Sequence, residues 1–186
     1  MKLDTNFAES LGAALGGCLR DQLRFTTRES ARAAGYSLPL FDFLSPARIR
    51  SFKLMWIAMM QGLALWTVLQ ENADIAKNDK VLRKIMFQMQ STAETSLADS
   101  VFNGITDAQR KNYQQVLRHF LTLAQDPTST DTDFAEEIIK VLHGDKADKV
   151  AKRHHNETLR QMKLIRGVYQ RLYLLTLKYP NSSARA

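Results

Sequence analysis

The stretch Leu54-Met-Trp-Ile-Ala-Met-Met-Gln-Gly-Leu-Ala-Leu-Trp-Thr-Val-Leu69 holds only two polar side chains, Gln61 and Thr67. Stepped at about 100° per residue, its apolar positions fall all round the axis instead of along one stripe. A helix of that kind is either the buried centre of a bundle or a membrane span. Ser45-Pro46 upstream has the form of an N-cap followed by proline at the first helical position, which predicts a helix over about 46–71. A span needs roughly 18 apolar residues, and Phe52 to Leu69 comes close, although Lys53 and Gln61 interrupt it. The other helical segments are amphipathic and have nothing apolar to offer lipid, so the stretch is read as a central core helix. As a span, its flanking Arg48, Arg50 and Lys53 would place the N-terminal end in the cytoplasm.

Working outward, the remaining long segments all show helical periodicity, and no run alternates convincingly as a strand would. Upstream, a helix is predicted from about Asp4 or Asn6 to Ala34. Its stripe is Phe7, Leu11, Ala14, Leu15, Cys18, Gln22 and Phe25, and Gly35 is its stop. Gly12, Gly16 and Gly17 each weaken it by about 1 kcal/mol relative to Ala unless a neighbouring backbone packs there, so a close helix crossing is expected near residues 12–17. Residues 36–44 form an apolar connection around Pro39.

Downstream, a helical region is expected over about 79–103, with a break within the polar run Gln90 to Ser96 and Gly104 as terminator. Thr106 and Gln109 match a capping box that opens a helix to about Gln125. Asp126 to Asp133 is a loop, and Asp133 with Glu136 is expected to cap a short helix ending at His143-Gly144. Asp145 is expected to cap a last helix over about 146–179, stopped by Pro180. The class is therefore all-α: a single-domain bundle of five to seven helices over residues 1–180, with 181–186 as a disordered tail.

Of 186 residues, 45% are hydrophobic and 24% charged, with few Gly and Pro, which excludes collagen-like, low-complexity and wholly disordered classes. One cysteine excludes a disulfide framework and a multi-thiolate zinc site. The net charge of +7 is unevenly placed. From Lys146 onward there are ten cations and two acids, while the rest of the chain is nearly neutral. On the last helix Ala147, Val150, Ala151, His154, Thr158, Ile165, Val168, Tyr169, Leu172 and Thr176 are predicted to face inward. Lys149, Lys152, Arg153, Arg160, Lys163, Arg171 and Lys178 lie opposite as a basic stripe, the leading candidate for binding an anionic partner.

Arg20, Arg24, Arg28 and Arg32 form a second basic ridge on the first helix, partly offset by Asp21 and Glu29. Arg48, Arg50 and Lys53 occupy the start of the central helix, where the macrodipole disfavours cations. They are expected to be solvated or to pair with acids elsewhere, with Asp131, Asp133, Glu136 and Glu137, in the same chain or a neighbouring subunit, as the candidate set; the sharper alternative is an anion-contacting rim. Trp56, Met59, Met60 and Trp66 are the candidate lining of an inter-helix pocket.

Other motifs fail on spacing. Leu15-Gly-Gly-Cys18 has the form of a lipoprotein cleavage box, but Asp4 and Glu9 precede it where a signal is positive. Asp126 to Glu137 has the length of a calcium loop but carries Pro127 second and Asp131 where glycine is needed. His119, His143, His154 and His155 match no di-iron or zinc pattern. With no catalytic motif, no cofactor and no metal indicated, the expected function is a non-enzymatic, cytoplasmic, self-associating binding module with a homo-oligomer or protein partner. Electrostatic nucleic-acid binding, membrane-surface association and a small-molecule carrier or enzyme are the alternatives.

Overall fold

A computed structural model describes residues 4–38 and 46–179, with only the backbone of 24–27. The expected Ser45 cap, Pro39, the Phe25 and Arg24 side chains, the Pro180 stop and the 181–186 tail lie outside the described residues. The architecture is all-α, with seven α-helices among the described residues: α1 (Thr5–Ala33), α2 (Pro46–Glu71), α3 (Ala73–Lys77), α4 (Asp79–Ser96), α5 (Asp107–Gln125), α6 (Asp131–His143) and α7 (Ala147–Lys178).

The helix α2 is the centre of the bundle. Nearly all of it from Phe52 to Val68 is buried, as its unbroken apolar surface requires. It is the one described helix long and apolar enough to cross a membrane, and 89% of that stretch is covered by the rest of the fold. The two polar side chains within Leu54 to Leu69, Gln61 and Thr67, are both hydrogen-bonded. Gln61 Nε2 donates to the buried Tyr113 hydroxyl at 3.1 Å, and Thr67 Oγ1 donates to the Leu63 carbonyl at 2.8 Å. α5 lies directly on α2, where Gly62 leaves no room for a side chain: a Cβ there would sit 2.7 Å from the Phe120 carbonyl oxygen.

The crossing anticipated on α1 is present against α4. A Cβ at Gly12 would lie 2.7 Å from the Ile85 carbonyl oxygen, and one at Gly16 2.7 Å from that of Met89. Gly17 faces open space and takes no part. The buried line of α1 runs through Phe7, Leu11, Leu15, Leu19 and Leu23, so Ala14, Cys18 and Gln22 sit at its half-buried margin. α1 starts on Asp4, whose carboxylate accepts from the Phe7 N–H at 2.9 Å. It stops at Gly35 with φ +69°, where Gly35 N–H returns to Arg32 O and Tyr36 N–H to Ala31 O.

Several boundaries differ from expectation. The polar run Gln90 to Ser96 stays helical because side chains four apart bond along it, as Gln90 to Glu94 does at 2.9 Å. The break comes at Leu97, followed by a single π turn over Ala98–Phe102 and then Gly104 at φ +72°. The short α3, capped by Asn72 and followed by a second cap at Asn78, was not anticipated. Thr130, not Asp133, is the N-cap of α6, and Asp133 is the acid of its capping box. Asp145 does not cap α7; it lies in a 3₁₀ turn, Gly144–Lys146, and α7 begins without a side-chain cap.

Candidate functional site: the outward face of the last helix

α7 packs along α6, α1 and α2. Its inner line is Ala147, Thr158, Met162, Ile165, Tyr169, Tyr173 and Thr176, all buried. Three bonds fix its rotation: Thr158 Oγ1 donates to Ala33 O at 3.1 Å, the Tyr169 hydroxyl to Gln22 Oε1 at 2.8 Å, and Asn72 Nδ2 to the Tyr173 hydroxyl at 3.2 Å. Arg166, the α7 cation that lies outside the predicted stripe, is turned toward the body of the fold. Half-buried, it forks onto both carboxylate oxygens of Asp131 at 3.1 and 3.2 Å and covers the Trp66 ring at 4.4 Å.

With that rotation, Lys149, Lys152, Arg153, Arg160, Lys163, Arg171 and Lys178 are all exposed on the outer half of α7. Arg160 makes a long, exposed pair with Glu157 at 3.6 Å, and Lys178 Nζ sits 5.3 Å from the Tyr179 ring centroid. The stripe is not purely cationic. Val168, expected inside, is 43% exposed, and Leu164, Leu174, Leu175 and Tyr179 are at least half exposed beside it. Leu164, Val168, Arg171, Leu175 and Lys178 follow one another at intervals of four, three, four and three residues. That interval is the contact seam of a paired helix. Arg171 and Lys178 occupy alternate positions of it, and the last acid of the chain is Glu157. Gly167 lies next to the seam with nothing within 4 Å of where its Cβ would be.

The sequence reading missed Leu164, Leu174, Leu175 and Tyr179 as surface residues and left Met162 and Tyr173 out of the inner line. The four-three interval through 164, 168, 171, 175 and 178 is the signal that separates the two faces.

The other candidates fall elsewhere. Trp56, Met59, Met60 and Trp66 are packed into the core, and none of them lines the surface depressions on α1 and α7. Arg20 bonds Asp21 at 2.9 Å, whereas Arg28 and Arg32 line a depression between the end of α1 and α7. The pairing expected between Arg48, Arg50, Lys53 and the acids of α6 does not form among the described residues. Arg50 donates to the Gly104 carbonyl at 3.1 Å, and Arg48 lies over the Tyr36 ring at 5.3 Å. The acids have other roles: Asp131 holds Arg166, Asp133 completes a cap, and Glu137 bonds His119 at 2.8 Å and Lys140 at 2.6 Å.

Compared with protein-family models, curated proteins and solved structures, the chain matches none. A function is therefore argued from the side chains of the site and not from the fold.

Proposed function

We propose that this chain is a helical binding module that uses the outward face of α7 to dock an acidic amphipathic helix of another protein. The observation that carries the proposal is the seam of exposed Leu164, Val168 and Leu175 interrupted by Arg171 and Lys178, with no acid after Glu157. Exposed apolar side chains aligned at helix-pairing intervals favour a helical partner, and unpaired cations inside the seam select acids opposite them. Gly167 supports the same reading. A glycine inside a helix costs about 1 kcal/mol relative to Ala, and open space beside the seam permits close approach of a second backbone.

A second copy of the chain is a poor occupant of this face. A two-fold contact sets like patches together, so the Arg171 and Lys178 rows would oppose each other. Self-association, if it occurs, uses a different surface. A nucleic-acid backbone suits the cations but leaves Leu164, Val168 and Leu175 against phosphates. Placing a photoreactive amino acid at position 168 and sequencing the captured peptide tests the proposal. Capture of one acidic helical segment, lost in Arg171→Glu/Lys178→Glu, is the expected result. Capture of this chain itself, of nucleic acid or of lipid contradicts it.

A further inference from the structure

The outward surface of α7 changes character along its length. Its exposed large apolar side chains begin at Leu164. Ahead of that point Lys149, Lys152, Arg153, Asn156, Arg160 and Lys163 are all exposed. Stepped at about 100° per residue, these six fall within roughly a third of the helix circumference. Lys149 and Asn156 run along the middle of the ridge, Lys152 and Lys163 along one flank, and Arg153 and Arg160 along the other. At 1.5 Å per residue the ridge is about 21 Å long.

The other sides of this half of α7 belong to the bundle. Val150 and His154 are turned to the end of α1, where a Cβ on Gly35 would come within 2.9 and 2.8 Å of them, and Thr158 Oγ1 donates to the Ala33 carbonyl. Asp148 is turned to the opposite side, where its charge acts on Lys140 of α6. Glu157 and Glu29 face each other across the junction with α1, together with Arg32 and Arg160, and Glu157 reaches Arg160 at 3.6 Å. Lys149, Lys152, Arg153 and Lys163 pair with no carboxylate among the described contacts. The helix also starts without a side-chain cap, with Asp148 as the sole acid of its first turn. Cations at that end are disfavoured by the macrodipole, a repulsion that a polyanion lying on the ridge relieves.

We infer that this half of α7 enters the major groove of double-stranded DNA. That groove is about 12 Å wide and admits an α-helix. Cations on both flanks of the ridge reach the phosphates of both strands, while Lys149 and Asn156 face the base edges. With one amide among five cations the contacts are chiefly to phosphates, and sequence preference is small. The deep, narrow major groove of double-stranded RNA does not admit the helix. A bilayer surface would take up apolar side chains and a single strand would stack on exposed rings, and the ridge carries neither. The ridge ends where the apolar seam begins, and neither surface depends on the other.

Fluorescence anisotropy of a labelled DNA duplex two helical turns long, titrated with the full chain at a series of salt concentrations, tests the assignment. Contacts from five cations predict a log–log salt slope of about −4.5, a loss of affinity of about 500-fold over a fourfold rise in salt. Lys152→Gln/Arg153→Gln/Lys163→Gln should bring the slope to about −2, with the circular dichroism spectrum unchanged. Arg171→Gln/Lys178→Gln, in the seam, should leave the slope as it is. Double-stranded RNA of the same sequence should bind at least about tenfold more weakly than the DNA. Absence of duplex binding, a slope that the three ridge substitutions leave unchanged or that the seam substitutions reduce as much, equal affinity for the RNA, or preference for phosphatidylserine vesicles over the duplex would overturn the assignment.

Discussion

Gly12, Gly16 and Gly17 look alike in the sequence and do different things. The first two admit the carbonyls of α4, and the third faces open space. Gly12→Ala or Gly16→Ala should therefore destabilise by about 1–3 kcal/mol through overpacking, while Gly17→Ala should stabilise by about 0.5–1 kcal/mol; urea unfolding measures both. That a close crossing exists here is legible from glycine content alone, but which glycines face it depends on the register of α4 and is not. Cys18 illustrates the same limit. Burial, with a smaller contribution from the Asp21 charge, pushes its thiol up to about 11. It should react slowly with a disulfide reagent at neutral pH and promptly once urea exposes it. Glu137 gives a pH signature. Its partial burial raises its pKa, but the hydrogen bonds from Lys140 and His119 outweigh that and hold it below the ordinary value. A depressed carboxylate stabilises above its unfolded pKa, and the gain disappears as pH falls through the folded one. The gap in urea midpoint between the native chain and Glu137→Gln should be widest at neutral pH and close in acid.

At the scale of elements, α2 was readable because its surface leaves no alternative to burial. The helix α5 was equally readable, since Thr106 and Gln109 announce a cap that the structure contains in full. The last helix was only half readable. Its cations mark the outer side, but Val168 could not be placed without knowing that Met162, Tyr169 and Tyr173 set the inner line. The two faces should separate cleanly by mutation. Met162→Ala should cost about 2–5 kcal/mol as a core truncation. Val168→Ser and Leu175→Ser should stay within about 0.5 kcal/mol of the parent, as surface changes do, while abolishing partner capture. Thermal melts of the three variants check the contrast.

For the molecule as a whole, the basic C-terminal excess and the neutral body were visible in the charge arithmetic, and the bundle holds them apart on one outer helix. Asp131, Asp133 and Glu137 are used inside the fold, and no carboxylate pairs with Arg171 or Lys178 among the described contacts. The most direct measurement is a charge exchange across the docked seam. With Arg171→Glu/Lys178→Glu in this chain, binding of the captured acidic helix should be lost, and replacing that helix's facing acids with lysine should restore it. Binding that survives the first change, or that the second does not restore, would contradict docking through the α7 seam.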